Sequence, residues 1–299
     1  MHPLSFMNTF FPNKFSKTSF VFLLLLFIGS NAQAASVFKV TKGDNTVYIG
    51  GTFHLLTEND YPLPAPFAKA YKASSELYFE TDIAATQSPA FMQQMMGVIL
   101  NQNGETLKNV LDATTYAKVE QYASERGLDI NQFLPLNATG LMLTITIMEY
   151  QSRGFVATGV DEHFFNKAKK DNKTIAWFES IDEQLAVIDS FDDGDPNGLV
   201  NYTLAEVGKV DEVISGLHGS WRKGDMNTLA KLGIESFQDY PDLYQNLLVK
   251  RNNNWMKKLV TLFDDNDTEF VLVGVLHLPG ESGVLTQLEA LGYKVEKLK

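Results

Sequence analysis

The 299-residue chain contains no cysteine. Disulfides, thiolate zinc sites, a cysteine nucleophile and lipid attachment through an N-terminal cysteine are thereby excluded, and packing alone must stabilise the fold. Basic residues are the minority, 25 Lys and Arg against 36 Asp and Glu. The resulting net charge of −11 repels phosphate backbones, so nucleic acid is not expected as a partner; its main use is solubility. Long apolar runs are scarce as well. The main one, Phe20 to Ile28, falls far short of the ~20 residues a spanning helix needs. Lys14 and Lys17 precede it, and Gly29-Ser30 and Ala32-Gln33-Ala34 follow, which is the pattern of a secretory signal peptide cut after Ala34. The expected organisation is therefore a signal peptide, residues 1–34, and a single domain, residues 35–299. That domain is expected to be periplasmic or secreted, with no stable membrane span. Loss of the two lysines takes the formal charge from −11 to −13.

Catalytic signatures are also missing. No G-x-S-x-G elbow, H-E-x-x-H helix, Walker loop or Rossmann fingerprint occurs, which removes the usual serine-hydrolase, zincin and nucleotide readings. Asp192 to Gly198 lacks the ligand spacing of a calcium loop and reads as a turn.

What the chain does have is one phrase twice: Gly51-Thr52-Phe53-His54-Leu55 and Gly274-Val275-Leu276-His277-Leu278. Each copy closes a short run rich in β-branched and aromatic residues, Val47 to Gly50 and Phe270 to Val273, so both histidines are expected at strand ends. Val37 to Val40 and Thr46 to Ile49 flank Lys42-Gly43-Asp44-Asn45 and read as a hairpin feeding the first histidine. Phe67 to Glu76 has helical spacing, Leu77 to Phe79 returns to strand, and Thr174 to Phe178 is a further strand. The middle is helical: Ala90 to Asn101, Ala113 to Arg126 after Asp112, and Ala138 to Gln151 after Asn137, with Gly127 and Gly154 as stops. Asp161 to Lys170, Ile181 to Ser190, Leu199 to Leu217, Met226 to Leu232 and Leu243 to Phe263 continue as helices. The alternation predicts an α/β fold, with α+β the alternative.

Four metal-compatible side chains then share one topological position: His54, Glu80, Glu179 and His277 all stand at strand ends, where open α/β sheets bind ligands. Two imidazoles with one or two carboxylates suit manganese, cobalt, zinc or iron and leave room for an activated water. Glu80 and Glu179 read equally as general base, as metal ligand or as partner orienting a histidine. Arg251 is the candidate for holding a substrate carboxylate or an oxyanion. Met92, Met95 and Met96 form a face that reads as core or as a wall of a substrate groove. His163 and His218 receive no role, and Ser180 and Ser282 qualify as nucleophiles only by proximity.

Further motifs stand in order along the chain: Leu77 to Glu80, Gly159-Val160-Asp161-Glu162-His163-Phe164, Phe178-Glu179 with Gln184-Leu185, Trp221 to Asp225, Arg251 with Trp255, and Pro279-Gly280 after His277. With the two G-x-x-H phrases they resemble the TraB/GumN family, which includes the Tiki metalloproteases and is related to erythromycin-esterase-like and ChaN-like folds. The resemblance implies a central mixed sheet surrounded by helices and an active centre drawn from His54, Glu80, Glu179, Arg251 and His277. It also implies manganese- or cobalt-dependent cleavage of peptide. The leading expectation is an exported, metal-dependent hydrolase of peptide or a small-molecule substrate, in which His54 and His277 hold the divalent ion and Glu80 or Glu179 activates the attacking water. The competing expectation is a non-catalytic envelope protein that binds haem, a glycan or a small molecule in the same cleft. A third is a structural partner that uses the methionine face.

Overall fold

The computed structural model describes residues 35–299, which fall within one compact unit. The expected signal peptide, residues 1–34, lies outside the described residues. Among those described, no helix is long and apolar enough to cross a membrane.

Eight strands are formed: β1 Val37–Lys42, β2 Asn45–Thr52, β3 Leu55–Leu56, β4 Glu76–Thr81, β5 Ala157–Thr158, β6 Thr174–Glu179, β7 Glu269–Gly274 and β8 Lys294–Lys297. Six make one sheet in the order β6-β4-β7-β2-β1-β8, and β3 pairs with β5 in a small ladder beside it. The β1-β2 hairpin forms as the turn chemistry expects, with Gly43 at φ 60° supplying the left-handed residue. From β2 to β6 the four neighbouring strands run parallel, while β1 runs antiparallel to both its neighbours, β2 and β8. The sheet is thus mixed, and helices surround it, as the α/β reading requires.

Both faces of β2, β4 and β7 are largely buried, which explains their near-continuous apolar sequences, whereas the edge strand β6 exposes Thr174 and Trp177. Leu77, Phe79, Phe270 and Leu272 point into one core with Phe67, Phe164 and Trp221. Tyr78, Val271, Val273, Val47 and Ile49 point into the other with Trp255, Leu259 and Leu288. A third core, of helices alone, gathers Leu107, Val119, Leu141, Ile145, Leu199 and Leu248. The central helices Ala113–Glu125 and Ala138–Ser152 keep the expected caps: Asp112 accepts from Thr115 N and Asn137 from Gly140 N.

Two long helical stretches are subdivided where the sequence suggests single helices. Leu199 to Leu217 is interrupted at Gly208-Lys209, between helices Pro196–Val207 and Val210–Lys223. Leu243 to Phe263 becomes a turn at Pro241–Tyr244, a π-turn at Gln245–Val249, the helix Lys250–Leu259 and a final 3₁₀ turn. Apolar periodicity cannot distinguish a π-turn from continuous helix, because one inserted residue only rotates the stripe.

At the amino-terminal edge of the sheet, Glu76 and Glu269 are direct neighbours on β4 and β7. Glu269 is 2% exposed, one of its oxygens has no partner, and Asp265 and Asp267 add further negative charge. Burial, then the nearby acids, push its carboxyl up to about 7. The folded chain therefore binds this proton more tightly than the unfolded one, so stability falls as pH rises from the ordinary carboxyl range through 7. Glu269→Gln, which mimics the protonated acid, is expected to be more stable than wild type by about 1–3 kcal/mol at pH 8 and equal to it near pH 4.5. Denaturant titrations at the two pH values check this; a variant no more stable at pH 8 contradicts it.

Candidate active site

Strand order, not chain order, assembles the site. The last strand of the parallel set, β7, is inserted between β2 and β4, so the two G-x-x-H phrases become neighbours. Glu179 closes β6, Glu80 is the penultimate residue of β4, and His277 and His54 follow the ends of β7 and β2. All five side chains expected from the sequence face one edge of the sheet.

The glycines of the repeated phrase serve this approach. A Cβ on Gly51 would lie 2.7 Å from Val275 Cγ2 and 3.0 Å from Leu278 Cδ1, so only glycine lets one phrase pack on the other. Gly274 brings its backbone N–H within 2.5 Å of Glu80 Oε1.

Arg251 occupies the centre. Its Nε donates to Glu179 Oε1 at 2.8 Å, and its Nη2 donates to Glu179 Oε2 at 2.9 Å and to Glu80 Oε2 at 2.6 Å. Its Nη1 meets His277 Nε2 at 3.2 Å. The helix Lys250–Leu259 also carries Asn252, whose Oδ1 accepts from His277 Nδ1 at 2.6 Å, and Trp255, whose indole N–H donates to Glu179 at 2.7 Å. These bonds fix the His277 tautomer, with the proton on Nδ1 and the Nε2 lone pair toward the guanidinium. Burial lowers the His277 pKa to about 3, so the ring is neutral. Burial alone would raise Glu80, but Arg251, His277, His54 and the Gly274 N–H outweigh it and hold the carboxyl well below the usual range. Glu179 is shifted upward: burial and neighbouring Glu80 exceed the help from Arg251 and Trp255.

His54 sits differently. It stands at the mouth, its side chain 72% exposed, with Nδ1 3.0 Å from Asp161 Oδ2. Asp161 raises its pKa, although water reaching so exposed a ring screens the attraction. The charge of His54 still bears on both Glu80 and His277. A cleft of about 390 Å³ opens there, lined by His54, Glu80, Thr81, Phe91, Asp161 and Gln184 among others. Arg251, Glu179 and His277 lie beneath this lining. Thr81 leaves its hydroxyl unpartnered in the cleft wall. Phe91 belongs to the methionine helix Pro89–Ile99, of which Met95 packs on the helical core while Met92 and Met96 are exposed; none of the three lines this cleft.

Sequence reasoning assigned no role to Asp161, Asn252 or Trp255. Asp161 lies in the first turn of the helix Val160–Asp171, where acids commonly offset the helix dipole, so its sequence position carried an ordinary explanation. What makes it a site residue is the strap that precedes it. β5 pairs Thr158 with Leu55, and Val160 N donates to Phe53 O at 3.0 Å. A Cβ on Gly159 would fall 2.3 Å from His54 O and 2.5 Å from its carbonyl carbon. Gly159→Ala is therefore expected to cost about 1–3 kcal/mol and to separate Asp161 from His54. Thermal unfolding together with the His54 titration by NMR checks this; an unshifted titration refutes it.

The donor chemistry here, imidazole nitrogen and carboxylate oxygen, fits a manganese, cobalt or zinc ion. His277 Nε2 and Glu80 Oε1 are 3.9 Å apart, but both carboxylates bond to Arg251, and no three His, Asp or Glu side chains converge as metal ligands among the described residues.

Comparison with known proteins agrees in extent with the motifs. The TraB/PrgY/gumN family profile matches residues 36–297. The uncharacterized protein YbaP of Escherichia coli (strain K12) is 21% identical over 243 residues, covering 81% of this chain and 87% of that protein; YbaP of Shigella flexneri gives the same figures. No solved structure matches.

Proposed function

The chain belongs to the TraB/PrgY/gumN family, and on that premise we propose that it is an exported hydrolase cleaving an amide or ester bond, with peptide as the foremost substrate class. The supporting observation is the His54–Asp161 pair at the mouth of the cleft. With Nδ1 turned to Asp161, Nε2 is the nitrogen left to move a proton. Neutral His54 takes a proton from water as the oxygen attacks the carbonyl carbon. The imidazolium then gives that proton to the departing nitrogen or oxygen as the carbon–heteroatom bond breaks. Glu80 is tied at both oxygens, by the Gly274 N–H and by Arg251, and Glu179 is tied by Arg251 and Trp255. Both are therefore assigned to holding the floor, with Arg251 as its central cation.

Export rests on the signal-peptide pattern of residues 1–34. Peptide and ester libraries incubated with the mature protein test the reaction: turnover is expected, and its absence from every substrate, or wild-type turnover in His54→Ala, overturns it.

A second reading is favoured by the 3.9 Å approach of His277 to Glu80, with His54 within electrostatic reach of both. In it, His54, His277, Glu80 and Glu179 hold a divalent metal, which when bound lowers the pKa of its water and polarises the carbonyl. Metal content distinguishes the two. Equal content in wild type, His54→Ala and His277→Ala removes the metal; loss in both variants, with activity abolished by chelation and restored by manganese, replaces the first reading.

A further inference from the structure

Away from the cleft, the helical part forms a second, partly open cavity of about 270 Å³. Its walls include Leu232 and Gly233 from the π-turn Ala230–Ile234 and Leu247 from the π-turn Gln245–Val249. Two π-turns around one cavity are unusual, and such turns occur often at functional sites. Leu276, beside His277 in the chain, also lines it, and a Cβ on Gly233 would lie 2.3 Å from Leu276. Leu247 also lends its carbonyl to Arg251 Nη1.

Several polar groups at this cavity are engaged within the protein, while the Thr146 and Tyr150 hydroxyls in its wall make no hydrogen bond among the described residues and are free for an uncharged head group. Thr203 donates to Leu199 O and Ser236 to Gly233 O, and Glu149 accepts from Tyr122, Arg126 and Arg153. Val207, Val213, Ile214 and Leu217 supply apolar wall. The volume, about 270 Å³, lies just below the ~300–1,000 Å³ of drug-sized sites and has room for an alkyl chain of about ten carbons. Glu149 and Glu206 both line it, so a negative head group is disfavoured.

We propose that this cavity binds the unbranched alkyl chain of an uncharged amphiphile. The site stands independently of the hydrolase reading, and its test needs no turnover. Isothermal titration of the mature protein with 1-decanol is expected to show saturable binding and a rise in Tm. From hexanol to decanol the affinity should tighten by about fourfold per added methylene. Decanoate should bind at least ten times more weakly than decanol. Ile214→Trp, which fills the cavity, and Val207→Phe, at its half-buried wall, should each weaken decanol at least tenfold. Unsaturable uptake, a flat chain-length series, decanoate binding as tightly as decanol, or unchanged affinity in a folded Val207→Phe overturns the proposal. If Ile214→Trp does not fold, Val207→Phe and the chain-length series decide.

Discussion

Arg251→Met is expected to lose about 3–5 kcal/mol of stability at neutral pH. The guanidinium is 5% exposed and neutralises two carboxylates that lie almost as deep. Methionine fills much of the same volume, so packing loss is secondary. The cost arises because Glu80 and Glu179 would be left facing each other, both buried, with no cation between them. For a domain of this size the loss corresponds to a Tm lower by roughly 6–20 °C. Arg251→Lys should recover only part of it, since an ammonium cannot reproduce the paired Nε and Nη2 contacts to Glu179. The pH dependence supplies a second signature. In wild type Glu80 is depressed by Arg251, so the stability it confers is present above the ordinary carboxyl range and is lost as pH falls through its lower folded value. Without Arg251 that carboxyl rises, and the variant should regain relative stability as the medium is acidified. Thermal unfolding of both variants from pH 4 to 8 measures this, and a loss under 1 kcal/mol at pH 7 would contradict the central position given to Arg251.

Asp161→Asn carries the second large effect. On the proposed chemistry, removal of the proton relay by His54→Ala should lower kcat by about 10²–10⁴-fold. Asp161→Asn should cause a loss within the same range but leave a different trace. Asp161 is the principal cause of the upward shift at His54, and only the neutral ring can accept a proton from water. Wild-type kcat/KM should therefore rise with pH along a limb above the ordinary imidazole value. In Asp161→Asn that limb should move down toward ~6.5. The plateau should fall as well, because asparagine no longer enforces the tautomer. A residue needed only for folding would reduce activity without moving the limb. An unshifted limb in a folded variant would exclude Asp161 as the orienting group.

The repeated G-x-x-H phrase, the strand-end glutamates and Arg251 are legible in the sequence because each is a local pattern. Buried strands advertise themselves as short apolar runs, and a polar residue directly after one sits at a sheet edge. The hairpin from Val37 to Thr52 and the capped helices after Asp112 and Asn137 are local for the same reason. Less legible were the π-turn before Arg251 and the break at Gly208, where side-chain spacing hardly changes. Asp161 was hidden by an equally good local explanation at a helix start.

From its sequence alone the chain determined the local elements, the two matched phrases and the absence of any thiol chemistry, since these depend on residue types and short spacings. Tertiary structure decided that β7 enters between β2 and β4, that Arg251 lies against both carboxylates, and that His54 turns to Asp161. Those outcomes depend on contacts between residues 72 to 194 positions apart, fixed by strand order and packing, which no short window of sequence contains.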